Sequence, residues 1–224
     1  MWNALGDALP LAAGLALSPA ALTTGIILLL GRRGRLKASV FGIGWFIAIL
    51  VIAALAYAII DAGDSAAPDT TATSANVVQL IFAALFLVLA GLTWRKRPQP
   101  GQPPAESKLL DRLDNTSTSG AGILGLAQGF LVVKNVPLAL GAGAGIGEAQ
   151  LGPAATAVTL VLFGLLSTAG VIVPVVFATV GGKRSGVLLG QVREWLELNM
   201  ATIGIVVLLI LAAYFAGHGL EILQ

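Results

Sequence analysis

The residues able to do chemistry are few, and they stand where chemistry is costly. In "GFLVVKNVPLALGAG", Gly129 to Gly143, Lys134, Asn135 and Pro137 fall within four residues of an otherwise apolar run. An ammonium at the centre of a membrane helix costs about 2.5–3.5 kcal/mol on insertion scales, so such a charge serves a purpose or has a partner. A second interruption, "LALSPAAL", places Ser18 and Pro19 early in the chain. Proline removes a backbone donor and clashes with the carbonyl four residues back. Pro19 frees the carbonyl of Leu15 in this way, and Pro137 that of Val133. Serine followed by proline is the pattern of an N-cap and a first helical residue. Asn135 ahead of Val136-Pro137 reads the same way, as the cap of a second half-helix. The partly positive N-terminus of each half-helix then points at the protein's centre. Such ends attract anions, and Lys134 adds a full charge beside one of them. The chemistry predicted is substrate binding through Lys134, Asn135 and Ser18, with Pro19 and Pro137 as helix breaks. The plainer reading is a lysine that pairs with a backbone carbonyl or snorkels, beside prolines that only shape packing.

The elements that carry these residues follow from composition. The 224-residue chain is 57% hydrophobic and 11% charged, against about 25% charged in soluble domains. Its mean hydropathy is +0.91. A polytopic membrane protein is the class that fits. With no cysteine, disulfides, thiol redox chemistry and cysteine-ligated metals are excluded. One histidine, His218, leaves little for a metal site, and no cofactor is expected. The start, "MWNALGDALPLAAG", lacks the basic region of a secretory signal and reads as the beginning of the first span.

A span needs roughly 20 mostly apolar residues. Six are predicted, near 5–30, 38–60, 77–94, 121–146, 154–180 and 200–217. Of the 13 Lys and Arg residues, 12 lie in the first, third and fifth loops, Lys134 being the exception. The positive-inside rule puts those three loops in the cytoplasm and both termini outside. The third loop, rich in Pro, Gln, Gly and Ser, predicts a flexible basic linker over 96–120. Its "SKLLDRLDN" is read as a short surface helix. In the fifth loop, apolar residues at 187, 188, 192, 195, 196 and 198 predict an amphipathic interfacial helix over 184–198. Trp195 anchors it, and Trp94 is read as an aromatic belt residue. "ALGAGAGIG" and "FGIGW" carry small-xxx-small spacings for close helix packing. Pro174 is read as a kink.

Three spans precede the linker and three follow it, so residues 1–95 and 121–224 enter the membrane from opposite sides. That is the plan of an inverted repeat. Pro19 lies about 21 Å into the first span and Lys134 about 20 Å into the fourth, so both breaks fall in the central bilayer. The fold class predicted is all-α, with six transmembrane helices as two inverted three-helix repeats and helices one and four broken near the midplane.

At "LALSPAALTTGIILLLGRRGR" and at the Lys134-Asn135 pair the sequence resembles the GAP family (glycolipid- and sulfolipid-addressing proteins) of the LysE transporter superfamily. Members often carry Pro-Lys-Asn at the second motif; here Val133 stands in the proline's place, and Pro137 comes later. The resemblance implies two inverted three-helix repeats in a bacterial cytoplasmic membrane, and export of solutes or envelope lipids. The function expected is a transporter or lipid-translocation factor for an anionic-headgroup envelope lipid or similar amphiphile. The alternatives are a small-solute (amino acid) exporter and a non-transporting scaffold of a larger lipid export complex. An enzyme is not expected, because catalysis needs carboxylates, histidines or metal ligands gathered in a site, and the predicted span cores hold no Asp or Glu. The partners expected are an anionic lipid or small-molecule substrate and the membrane lipids, with a larger lipid exporter and a second copy of the chain left open. No nucleic acid is expected.

The charge split makes the topology testable. A reporter fused after Gln224 is expected to be active only if its partner enzyme works outside the cytoplasm. Cytoplasmic activity there, with cytoplasmic labelling of residues 61–76, would overturn the orientation.

Overall fold

The computed structural model describes residues 1–64, 71–97 and 116–220. Every element among them is helical: α1 (Trp2–Ala16), α2 (Pro19–Leu30), α3 (Gly34–Asp64), α4 (Thr71–Arg95), α5 (Thr118–Leu131), α6 (Asn135–Glu148), α7 (Pro153–Ser167), α8 (Ala169–Val180) and α9 (Gly182–Leu220). Most of the 96–120 linker and its surface helix lie outside the described residues.

Six of these helices form three bent pairs. The chain turns by 59° between α1 and α2, by 75° between α5 and α6, and by 66° between α7 and α8. Only α3 and α9 are long and apolar enough to cross a bilayer unbroken, and each bent pair passes as one further span, up to five in all. The apolar part of α4, Gln79–Arg95, is shorter than a span. The breaks predicted in the first and fourth spans are present. The third is a correction. The sequence reading put a kink at Pro174, but the chain breaks at Thr168. The hydroxyls of Ser167 and Thr168 donate to the carbonyls of Phe163 (2.8 Å) and Gly164 (2.7 Å), a back-bonding that bends helices. Pro174 stays inside α8.

The helix expected over 184–198 is present but is not separate from the last span. That stretch is the first part of α9, one helix of 39 residues. Nothing between Glu197 and Thr202 breaks a helix, and the join is reinforced. Arg193 pairs with Glu197 at 2.7 Å, and the Asn199 amide donates to the Trp195 carbonyl at 2.8 Å.

Helix α3 is the straight member that the second half packs against. A Cβ on Gly125 would collide with the Phe41 carbonyl, on Gly143 with the Ala53 carbonyl, and on Gly44 with the Gly122 carbonyl. The seam runs from Phe41 along α3 to Ile60, which Gly147 meets. Lipid gives no hydrophobic drive to hold helices together, so close backbone approach through small residues replaces it. Of the two spacings in "ALGAGAGIG", Gly143–Gly147 does this work. In the other, Gly141 makes ordinary contacts with Leu11 and Phe215, and Gly145 faces open space. Across the molecule Phe215 of α9 packs on Phe82 and Phe86 of α4.

Two long-range bonds fix which turns share an end. The Arg35 guanidinium donates to the Ala178 carbonyl at 3.0 Å, joining the α2–α3 turn to the end of α8. The Tyr214 hydroxyl donates to the Asp7 carbonyl at 3.2 Å, joining the last part of α9 to the start of α1.

The seam yields a paired test by thermal denaturation in detergent. Gly125→Ala is expected to lower the midpoint, at the scale of overpacking, about 1–3 kcal/mol. Gly145→Ala, with nothing within contact distance, is expected to leave it unchanged or raise it. Equal effects would mean that the seam does not set stability.

Candidate functional site

Lys134 and Asn135 adjoin the α5–α6 break, and Ser18 and Pro19 the α1–α2 break. Lys134 ends the α5–α6 break, and its Nζ donates to the Gly14 carbonyl of α1 at 2.6 Å. Gly14 lies in the last turn of α1, where carbonyls lack helical partners. The ammonium thus closes the partly negative end of one half-helix from the start of another. Lys134 is 9% exposed, and among the described residues no carboxylate pairs with it. Of its three N–H donors, one goes to Gly14. The plainer reading, a backbone carbonyl as partner, holds for that donor.

Asn135 does not cap α6 as expected. Lys134 occupies the N-cap position with helical backbone angles, and Asn135 is the first residue of the helix. Its amide Nδ2 instead donates backwards, to the carbonyls of Gln128 (3.0 Å) and Gly129 (3.2 Å). The reason is donor supply. The Gln128 carbonyl already takes the Val132 N–H at 3.2 Å but keeps a second lone pair, and in an apolar setting a side-chain NH2 is worth most where two acceptors lie together. Pro137 sits in the first turn of α6, where a missing N–H costs nothing.

Ser18 has the N-cap position of α2, extended at φ −84° and ψ 107°, with Pro19 first in the helix. Its hydroxyl makes no capping bond, which corrects the second half of the expectation. The Ser18 Oγ is buried without a partner, as are Thr23 Oγ1, Gln128 Oε1 and Asn135 Oδ1. The Gln128 Nε2 donates to Thr24 Oγ1 at 2.9 Å and so ties the end of α5 to α2.

The third break closes on the first. A Cβ on Gly170, at the start of α8, would collide with the Ala16 carbonyl. The end of α1 therefore meets both the Lys134 break and the Thr168 break. Helices α2, α6 and α8 all begin at this junction, a positive partial charge at each start, and Lys134 supplies the full charge. Sequence reading missed Gly14, Gln128, Thr23, Thr24, Ser167, Thr168 and Gly170. The usable signal was polar residues inside apolar runs: Thr23-Thr24, Gln128 and Ser167-Thr168.

Chemically, the Lys134 ammonium keeps two hydrogens beyond the one given to Gly14, and the buried hydroxyls of Ser18 and Thr23 and the amide oxygens of Asn135 and Gln128 have no partner. Among the described residues no group of three acidic or histidine side chains gathers to hold a metal ion.

A family model described as Sap, sulfolipid-1-addressing protein, matches residues 8–221. No curated protein and no solved structure matches the chain.

The hydrogen bonds predict a split among substitutions. Asn135→Asp replaces two donors by an acceptor-only carboxylate facing two carbonyls, and is expected to prevent accumulation of folded protein. Lys134→Met strands the buried Gly14 carbonyl and is expected to cost about 1–3 kcal/mol, read as a lower denaturation midpoint. Lys134→Gln keeps a shorter donor and is expected to retain most of the stability. If Lys134→Met is as stable as the parent, the bond to Gly14 contributes nothing.

Proposed function

We infer the function from one premise: the chain belongs to the family of Sap, sulfolipid-1-addressing protein. The proposed role is movement of an anionic-headgroup envelope lipid, or a similar amphiphile, out of the bacterial cytoplasmic membrane. The observation that carries it is the buried Lys134 ammonium, bonded to the Gly14 carbonyl at 2.6 Å and paired with no carboxylate among the described residues. The partners proposed are the substrate lipid and the surrounding bilayer, with no chemical step on the substrate.

Magnitudes favour exchange at this site. Burial of the lysine costs about 2.5–3.5 kcal/mol, and a hydrogen bond from a charged group returns about 1.5–3 kcal/mol. The resting state is thus nearly balanced, and an anion competes with a carbonyl rather than with a carboxylate. In the proposed step a sulfate- or phosphate-type headgroup takes the place of Gly14 on Lys134. The end of α1 is then released, and the bends at Leu17-Ser18 and Val132-Lys134 change angle. Placement within the LysE superfamily, the relation of the two halves as inverted repeats, and both termini outside belong to this reading. The orientation rests on the distribution of basic residues.

The second reading is a scaffold that addresses lipid to a larger exporter without moving it. Substrate flux into liposomes holding only this protein separates the two. Headgroup translocation by the parent and a loss of tenfold or more in Lys134→Gln, with folding intact, is the expected result. Lys134→Arg keeps the charge but fits the compact site poorly and is expected to fall between. Normal flux in Lys134→Gln would refute the lysine's role, and no flux by the parent would favour the scaffold.

A further inference from the structure

The α2–α3 turn lies about 16 Å along α2 from the Pro19 break at helical rise. We propose that this turn binds the oxyanion headgroup of an acidic membrane lipid, with Arg33 and Arg35 as ligands. A surface depression of about 490 Å³ lies there, lined by Leu29, Arg33, Gly34, Arg35 and Leu36. Its lining combines two arginines with two leucines, the pairing that a headgroup and the start of an acyl chain present. The apolar part of the lining is what favours a lipid over a free oxyanion.

The backbone carries the inference beyond charge alone. The turn reads Gly31-Arg32-Arg33-Gly34. Gly34 is required, since a Cβ there would collide with the Leu29 carbonyl. The left-handed position, however, falls on Arg33, at φ 54°, not on a glycine. A non-glycine residue held in that region carries strain, and such strain gathers at ligand clamps. Neutralising the C-terminal dipole of α2 needs a cation near the last turn, but not this conformation. The strain is explained if the side chain must project into the depression.

Arg35 is fixed from the other side. One of its five N–H donors goes to the Ala178 carbonyl at 3.0 Å, which orients the guanidinium and leaves donors for an oxyanion. Arginine's planar fork suits phosphate and sulfate oxygens in pairs.

The test uses the full-length protein in phosphatidylcholine nanodiscs with phosphatidylglycerol titrated in, bound lipids being counted by native mass spectrometry. Arg33→Gly removes the charge and relieves the backbone, because glycine occupies the left-handed region freely. It is expected to keep or raise the denaturation midpoint and weaken phosphatidylglycerol binding about tenfold, the scale of a charge-assisted arginine contact. Arg32→Gln removes the neighbouring charge, which does not line the depression, and is expected to cost no more than the roughly fivefold of one arginine near an acidic surface. Lys134 is left intact in both variants, so any headgroup held at the proposed transport site contributes equally and the difference between Arg33→Gly and Arg32→Gln stands apart from the fate of that site. Equal losses in Arg33→Gly and Arg32→Gln, or no loss in Arg33→Gly, would overturn the site. Displacement of the lipid by millimolar inorganic phosphate would assign it to a soluble oxyanion and overturn the lipid reading.

Discussion

A helix broken inside an apolar medium must find new partners for every backbone group the break releases, and this molecule breaks three times. No water is at hand to take up the freed carbonyls, and each one left alone costs several kcal/mol. The placement of polar side chains follows from that demand. Lys134 serves the end of α1 and Asn135 adds donors at the end of α5, while the Ser167 and Thr168 hydroxyls add second bonds to carbonyls within the last turn of α7, Gly164 also taking the Thr168 N–H. In each case a donor is spent on a carbonyl. What remains unpaired is mixed: the amide oxygens of Asn135 and Gln128 as acceptors, and the hydroxyls of Ser18 and Thr23, which can donate or accept. The chemistry of the junction is the residue of its own structural repair.

Rigid and bent parts are divided between elements. Helix α3 runs 31 residues without interruption, and backbone-close contacts at Gly125 and Gly143 fasten the α5–α6 pair to it. Such a seam has few rotamers to rearrange and resists sliding. The bends, by contrast, are breaks of one to three residues held by a few side-chain hydrogen bonds. Motion is cheapest at the bends, and the site lies among them.

Much of this was legible in the chain. Proline after a capping residue marked the break at Ser18-Pro19, and an isolated lysine with a following proline marked that at Lys134-Pro137. Apolar length located α3, α9 and the three bent pairs, but it also predicted a sixth span at α4, where only Gln79–Arg95 is apolar and too short. The break at Thr168 carries no proline or charge, and hydroxyls bonding to their own helix look like ordinary polar tolerance in sequence. Asn135 was read as an N-cap because asparagine prefers that position. Which of its two functions, acceptor or donor, is needed depends on the neighbouring helix end, which one strand of text does not show. The continuity of α9 was missed for a similar reason. An amphipathic stretch beside an apolar one looks like two elements, and only the absence of a breaker argues for one. Arg33 is invisible to pattern reading, since a left-handed residue between two glycines gives no signal of which residue bears it.

The bond between Lys134 and Gly14 spans 120 positions of sequence, and this bears on biogenesis. Synthesis delivers the amino-terminal half first, so α1 enters the bilayer with the Gly14 carbonyl unserved, waiting for a lysine not yet translated. The later half arrives with the opposite need: a bent pair with no seam of its own, which finds α3 already in place. Each half is thus an unfinished membrane protein, and the nascent chain acts as its own assembly partner. The insertion machinery must hold an incomplete first half until the residue that completes it emerges.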